Sequence, residues 1–405
     1  MSRIPSIPGQ ILAASEQTSQ LKGWVQELCQ TKTKSFPGSQ PVSFTWKSMK
    51  SLEEEDYWVC EKSDGVRCLL LILMNGITNE QETYFIDRKN VYRRVYGLQF
   101  PNFEDSTFET PATDTLLDGE LVIDHDETTG KNTLIYLAFD LLVLEHMNLR
   151  EKPLQSRYGR LMTWVVKPYK SMLESRGNPE QPFEIKVKPM ERAYSIEQIF
   201  KEHIPKLQHG NDGLIFTCAE SGYVNGTDPK MWVKNYLLIY SIKYVSSIKW
   251  KNPSENSIDF KIILRFPPKE DNKELNNFSK KPICELHQWE GGKSYSWFDT
   301  WRISGEEWCH FMNEGVDIHN KIAEFSWLSE EQNWKFLRFR DDKNDANHST
   351  VVEKILDSIK DGVKAEELIK KAPQIRSLWK AREQRRGLGQ SRAPVASSQD
   401  YKIRT

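Results

Sequence analysis

Apolar residues in this chain recur mostly at every second position or in short unbroken runs, the spacing of strands; helical spacing is confined to a few stretches. Tyr57–Glu61 reads as a strand rich in aromatic and β-branched residues, and Arg67–Leu73 as a buried one. Asp64-Gly65 between them is a tight-turn pair, so a hairpin is expected, with glycine supplying a positive φ. Further strands are predicted at Thr83–Asp87, Leu116–Asp124, Thr133–Leu144 and Gly213–Thr217, with a helical patch at Ser195–Ile204. Near the start, Leu21, Trp24, Val25 and Leu28 recur at helical spacing behind Ser15 and Thr18, either of which can cap. A second block of strands, Ile258–Phe266, Pro282–Trp289 and Trp334–Arg340, is divided by polar turns as in a small barrel. Val352, Ile355, Leu356 and Ile359 then mark an amphipathic helix, and helix continues toward Arg386. From about Gly387 apolar periodicity stops, and disorder is expected. The predicted class is α+β, with antiparallel sheets around a cleft.

Length and charge narrow this picture. A chain of 405 residues accommodates two or three domains. Its 56 Lys+Arg balance 57 Asp+Glu, so contact with nucleic acid must come from a local patch, not from bulk charge. The six cysteines form no Cys-x-x-Cys and no His pair has metal-ligand spacing, which implies a reduced intracellular setting and no tightly bound structural metal. The longest apolar run, Cys68–Met74, is too short to cross a bilayer, and no signal-peptide pattern opens the chain; a soluble protein without membrane contact is expected.

Candidate chemistry centres on Glu61-Lys62-Ser63-Asp64-Gly65-Val66-Arg67, where a lysine sits between two strands with an arginine close behind. An amine attacks only when uncharged, and a free lysine with pKa near 10.4 is uncharged in about one molecule in 2,500 at pH 7. Nearby cations and desolvation are the means of changing that. An ordinary surface turn is the competing account. Asp118-Gly119-Glu120 offers two acids for a ribose hydroxyl or a divalent cation, or simply a solvated turn. Arg88, ending Phe85-Ile86-Asp87-Arg88, suits ribose or phosphate. Phe139, in Tyr136–Asp140, suits stacking on a purine or plain core packing. Asp212-Gly213 feeds an apolar strand and suits a metal-holding carboxylate or a turn. Strand alternation puts both lysines of Lys249-Trp250-Lys251 on one face, as a phosphate clamp or as edge protection. Arg340-Asp341-Asp342-Lys343 ends a strand with cations for a pyrophosphate, or with a solvated cluster. Gly291-Gly292-Lys293-Ser294 is not a phosphate-binding loop, because His287 stands where that motif needs its first glycine; it reads as a hairpin turn.

Taken in order, Lys62-x-Asp64-Gly65, Asp118-Gly119-Glu120, Tyr136–Asp140, Asp212–Thr217, Lys249-Trp250-Lys251 and Arg340–Lys343 resemble the motifs of the covalent nucleotidyltransferases. Phe36–Phe44, Phe85–Asn90, Asp212–Thr217 and Leu337–Lys343 are similar to the messenger RNA capping guanylyltransferases of the fungal, stand-alone type. The likeness covers about residues 1–386. It implies a nucleotidyltransferase domain of antiparallel sheets flanked by helices (1–251), an OB-fold β-barrel (252–346), C-terminal helices packing back on the first domain (347–386) and a disordered tail (387–405). It also implies that Lys62 takes GMP from GTP and passes it to the 5′-diphosphate end of RNA. By motif, Arg67, Arg88 and Glu120 fall at the ribose, Phe139 on guanine, Lys188 at the guanine edge, and Lys249 and Lys251 at the α-phosphate. Arg340, Asp342 and Lys343 fall at the pyrophosphate, and Asp212 is the candidate for a metal-assisting acid, with Mg²⁺ or Mn²⁺. Implied partners are the phosphorylated C-terminal domain of RNA polymerase II and a separate RNA 5′-triphosphatase, in the nucleus.

One departure from the family pattern is large. Met231–Ser247 separates Gly226-Thr227-Asp228 from Lys249-Trp250-Lys251, either as a real loop or as a translated intervening sequence. An ATP-dependent polynucleotide ligase and a non-catalytic scaffold retaining the fold are the alternatives. Arg382, Arg385, Arg386 and Arg392 form a further, weaker candidate for contacting RNA.

Overall fold

The structure, a computed structural model, describes residues 4–227, 246–252, 256–270, 273–360 and 362–390. The insert Met231–Ser247, apart from Ser246 and Ser247, lies outside the described residues, as do Arg392 and the rest of 391–405. The chain forms two compact units: Met1–Val42, Lys47–Trp250 and Glu366–Thr405 make the first, and Ser43–Trp46 with Lys251–Ala365 the second.

The first unit carries two sheets. Strands β1 (Tyr57–Ser63), β2 (Val66–Met74), β3 (Gln81–Asp87), β4 (Tyr92–Val95), β5 (Thr115–His125), β6 (Asn132–Leu144), β7 (Glu184–Val187), β8 (Asn211–Cys218) and β9 (Ser247–Trp250) supply most of both. The larger sheet runs β4-β3-β2-β5-β6, antiparallel throughout, with β7 added parallel to β6. The second contains β1, β8 and β9, also antiparallel. Both faces of the larger sheet are covered, which explains the unbroken apolar run of β2. Cys68, Leu70 and Ile72 face a core closed by Leu161, Val165, Tyr169 and Met172. Leu69, Leu71 and Leu73 face Leu21, Val25 and Leu28 of helix α1 (Glu16–Leu28). Ser15 caps α1 as expected, accepting from the Thr18 backbone N–H.

The expected hairpin between β1 and β2 does not form. The two strands belong to different sheets, and Asp64-Gly65 carries the chain from one to the other. Gly65 is needed for space, not for a positive φ: a Cβ there would meet the Leu121 carbonyl oxygen, with Glu120 Cγ and Val122 Cγ1 each at 2.9 Å. The helical run 154–175 is absent from the sequence reading because its central stretch, Leu161–Val166, winds as a π-helix and shifts the apolar stripe off the 3.6-residue period.

The second unit is a five-stranded antiparallel sheet built from β10 (Ser257–Arg265), β11 (Ile283–Gly291), β12 (Ser294–Trp301), β13 (Ile322–Leu328) and β14 (Asn333–Phe339). Its order is β12-β11-β10-β13-β14. Trp334 of β14 donates from Nε1 to Asp299 of β12 at 2.8 Å, so the sheet curls until its outer strands meet, the barrel expected of an OB-fold. Gly292-Lys293 is the hairpin turn of β11 and β12, closed by the pairing of Gly291 with Ser294.

The C-terminal helices do not act as one segment. Val352 of helix Ser349–Lys360 is buried in the barrel core and belongs to the second unit. Only the last helix, Ala365–Gln390, lies on the first, and it continues past Gly387, where disorder was expected. Arg382 Nε donates to buried Asp56 at 2.8 Å and Arg386 pairs with the same carboxylate, so both arginines help hold this helix to the first unit.

Gly65→Ala is expected to lower stability by about 1–3 kcal/mol through overpacking. Gly159→Ala, in helix Leu154–Arg160 with open space around it, is expected to raise stability by about 0.5–1 kcal/mol. Urea unfolding of both variants checks the pair.

Candidate active site

Two bulges present the site residues. Glu61 of β1 pairs with Leu214 of β8 and Ser63 with Asn211, so Lys62 faces two residues, Asp212 and Gly213. Gly213 has φ +138°, a backbone conformation that excludes a side chain without strain. The Asn211 amide bridges the bulge, donating to the carbonyls of Lys62 (3.1 Å) and Gly213 (2.9 Å). Lys62 Nζ, about a quarter exposed, donates to Asp212 Oδ1 at 2.5 Å. The second bulge lies between β5 and β6. Asp118 pairs with Asp140 and Gly119 with Ala138, leaving Phe139 as the extra, half-buried residue.

Beneath Lys62 runs a buried ionic network. Lys188, 3 % exposed, contacts Glu61 Oε1 at 2.9 Å and donates to Ser63 Oγ at 2.6 Å. Ser63 Oγ in turn donates to Glu61 Oε1 at 2.8 Å. His209 joins the far side, 3.4 Å from Glu61 through Nε2 and 2.6 Å from Asp124 through Nδ1. Burial alone would raise the Glu61 pKa, but the Lys188 charge and the donors His209, Lys188 and Ser63 outweigh it and hold the carboxyl at about 2. The Lys188 pKa moves up despite its burial, because Glu61 stands against it.

Arg67, expected at a ribose, is instead bound within the protein. Its guanidinium grips Asp118, which is fully buried, with Nε to Oδ1 at 3.0 Å and Nη2 to Oδ2 at 2.5 Å. It also donates to the Ser39 carbonyl and, at 3.1 Å, to the Tyr223 hydroxyl, and it lies 5.5 Å from the Phe139 ring centre. Asp118 is therefore no ribose or metal ligand but the counter-charge beneath the Phe139 platform. Glu120 and Arg88 remain, and among the described residues neither side chain has a hydrogen-bond partner. Burial raises the Glu120 pKa against the pull of Lys188, Lys62 and Arg88. Partial desolvation and the Arg67 charge lower that of Arg88. A cation facing a cation in this way is suited to an anion or to sugar oxygens.

Lys249 of β9 pairs with Ile215 of β8, the strand that carries Asp212; Lys251 opens the longer segment of the second unit. Within the second unit, Arg340 Nη1 reaches both oxygens of buried Asp259 at 3.1 Å, its other edge meets Asp342 at 2.9 Å, and Lys343 pairs with Asp259 too. Asp259, Glu61, Ser63, Asp124 and His209 were not singled out from the sequence. An acid on an alternating strand carries no local signal. Among the described residues no group of three or more His, Cys, Asp or Glu is placed to hold a metal ion.

The family model described as mRNA capping enzyme, catalytic domain, matches residues 5–235. The chain belongs to the mRNA capping enzyme family. The model for the mRNA capping enzyme, C-terminal domain, matches residues 255–369. Among similar proteins, the mRNA-capping enzyme subunit alpha of Schizosaccharomyces pombe is 38% identical over 377 residues, spanning 92% of this chain and 89% of that one. The Saccharomyces cerevisiae subunit alpha is 35% identical over 441 residues, spanning 99% and 92%. A solved structure, mycobacterial DNA ligase D complexed with ATP and MES, is similar at 14% identity and a TM-score of 0.35, covering 76% of this chain and 95% of that one. The expected α+β fold and the assignment to the mRNA guanylyltransferases are borne out, and the ligase and scaffold alternatives are set aside.

The Glu61 carboxyl has an ordinary pKa of 4.5 and sits at about 2 in the folded protein, so its contribution to stability is complete above the first value and lost as pH falls toward the second. Glu61→Gln, which strands the buried Lys188 charge, is expected to cost about 3–5 kcal/mol at pH 7. The gap between wild type and variant should narrow as unfolding is measured at pH 5, 4 and 3.

Proposed function

We propose that Lys62 is the nucleophile of the guanylyl transfer, and that the surrounding residues divide the nucleotide between them. The observation that carries this reading is the bulge that holds the Lys62 amine against Asp212. The Lys62 ammonium must first lose a proton, and Asp212 Oδ1 stands hydrogen-bonded to that atom. Nζ then forms a bond to the α-phosphorus of GTP as the bond to the bridging oxygen of the β-phosphate breaks and pyrophosphate leaves. In the second step a β-phosphate oxygen of 5′-diphosphate RNA attacks the same phosphorus, the P–N bond breaks, and the 5′–5′ triphosphate cap results.

Phe139 stacks on guanine, backed by Arg67, and Lys188 with Ser63 faces the base edge. Arg88 and Glu120 meet the ribose, and Lys249 and Lys251 the α-phosphate. In the second unit, Arg340 and Lys343 are cations suited to pyrophosphate. A hard divalent ion, Mg²⁺ or Mn²⁺, takes one or two protein carboxylates plus phosphate oxygens, and partly exposed Asp212 fits that role better than a closed all-protein cage. When bound it supplies positive charge at the phosphate oxygens. Docking to the phosphorylated polymerase tail, partnership with a separate triphosphatase and residence in the nucleus belong to the same proposal, on the strength of membership in the capping family alone.

Incubation with α-labelled GTP and Mg²⁺ is expected to leave label on wild type through a denaturing gel, and none on Lys62→Ala. Label retained by the variant would move the attachment point elsewhere. Transfer from ATP but not GTP would overturn the choice of nucleotide.

A further inference from the structure

The network under Lys62 ends in two residues that the chemistry above leaves unused, His209 and Asp124. The His209 side chain is buried, and among the described residues every charged group facing its ring is a carboxylate: Asp124 from β5 and Glu61 from β1. The short contact of Nδ1 to Asp124 fixes the ring and directs Nε2–H at Glu61. The loop carrying the imidazole is tied on both sides. The Gln208 carbonyl accepts from the His125 backbone, and the Gly210 carbonyl from that of Asp64, each at 2.8 Å.

Glu61 Oε1 is the shared acceptor of Ser63, Lys188 and His209. A carboxylate turns easily about its terminal torsion, so what stops it turning also sets the direction of the ammonium it holds. Lys188 has three N–H bonds; one goes to Glu61 and one to Ser63, and among the described residues the third has no partner. A carbonyl oxygen takes such a donor. An exocyclic amino group, itself a donor, cannot.

We propose that His209 and Asp124 form a specificity-determining positioning pair, holding Glu61 so that Lys188 and Ser63 keep one orientation toward a purine and favour the guanine carbonyl over the adenine amino group. This rests on the reading of Lys188 as the base-facing residue. Neither member of the pair touches the nucleotide; each acts through Glu61.

The test measures lysyl-nucleotide formation from α-labelled GTP and from α-labelled ATP, with KM and kcat for each, in wild type, His209→Ala, His209→Gln, Asp124→Asn and Lys188→Ala. Loss of one hydrogen bond to a charged group is expected to raise the KM for GTP about tenfold in His209→Ala, with kcat little changed. The preference for GTP over ATP should fall by a similar factor. His209→Gln, which keeps an N–H for Glu61, should recover most of that preference. An unchanged preference in folded His209→Ala, or an equal loss of kcat with both nucleotides, overturns the proposal. If His209→Ala fails to fold, His209→Gln and Asp124→Asn decide it: wild-type preference in Asp124→Asn overturns the pair, and a fall there with recovery in His209→Gln supports it. Lys188→Ala separates the two levels. Preference lost there but kept in the His209 and Asp124 variants sinks this inference alone, whereas preference kept in Lys188→Ala sinks the base-facing reading beneath it.

Discussion

Cations cannot be gathered in the interior of a sheet protein unless each has an anion of its own, because an unpaired buried charge costs several kcal/mol. That constraint organises this first unit. Arg67 is held by Asp118, Lys188 by Glu61 and Lys62 by Asp212, and the pairs differ in how far they are from water. The first two are buried and fix the framework. The third is about a quarter exposed, so its partners can be exchanged for a ligand without first burying a bare charge. Exposure thus separates the two framework pairs from Lys62, the lysine proposed to react.

The pairing also dictates where the backbone departs from regularity. Asp212 meets Lys62 because β8 bulges opposite it, and Gly213 makes the bulge possible. Phe139 stands proud of β6 because it is the residue left over between two registers. Gly65 lets the chain cross from one sheet to the other against the Leu121 carbonyl, which brings Lys62 and Arg67 into different sheets within one short segment. Each irregularity costs something locally, and each falls at a residue with a chemical task.

These irregularities are what a periodic reading of the sequence misses. Strands such as Thr133–Leu144 and Leu116–Asp124 were legible, since burial on both faces makes them mostly apolar around a few acids, and the structure extends them by only a residue or two. The β1–β2 hairpin was misread because two short strands joined by Asp-Gly look alike whether they pair with each other or with remote strands. Here the partners are remote: Glu61 with Leu214, Arg67 with Glu120. The lysine and its companions were legible from order and spacing. Their counter-charges were not, for Glu61, His209 and Asp259 sit on ordinary strands or loops and acquire meaning only from what the fold sets opposite them. Arg67 carries a partner that spacing alone did not reveal, the buried carboxylate of Asp118.

The same device recurs in the second unit, where buried Asp259 holds Arg340 and Lys343 together. Electrostatics then sets a condition on any polyphosphate that takes these cations or Lys62. Each phosphate oxygen that captures one leaves a carboxylate short of positive charge, so the gain is only the difference between two ion pairs. For Asp118, with no access to water, such an exchange has no route, and Arg67 stays where it is. Asp212 is open enough for another cation to replace the lysine, and on the proposed mechanism that replacement would remove the main penalty of drawing Lys62 toward phosphorus. A divalent ion held by Asp212 and by phosphate oxygens of the nucleotide would meet that need without a preformed cage of protein ligands, and no such cage stands among the described residues.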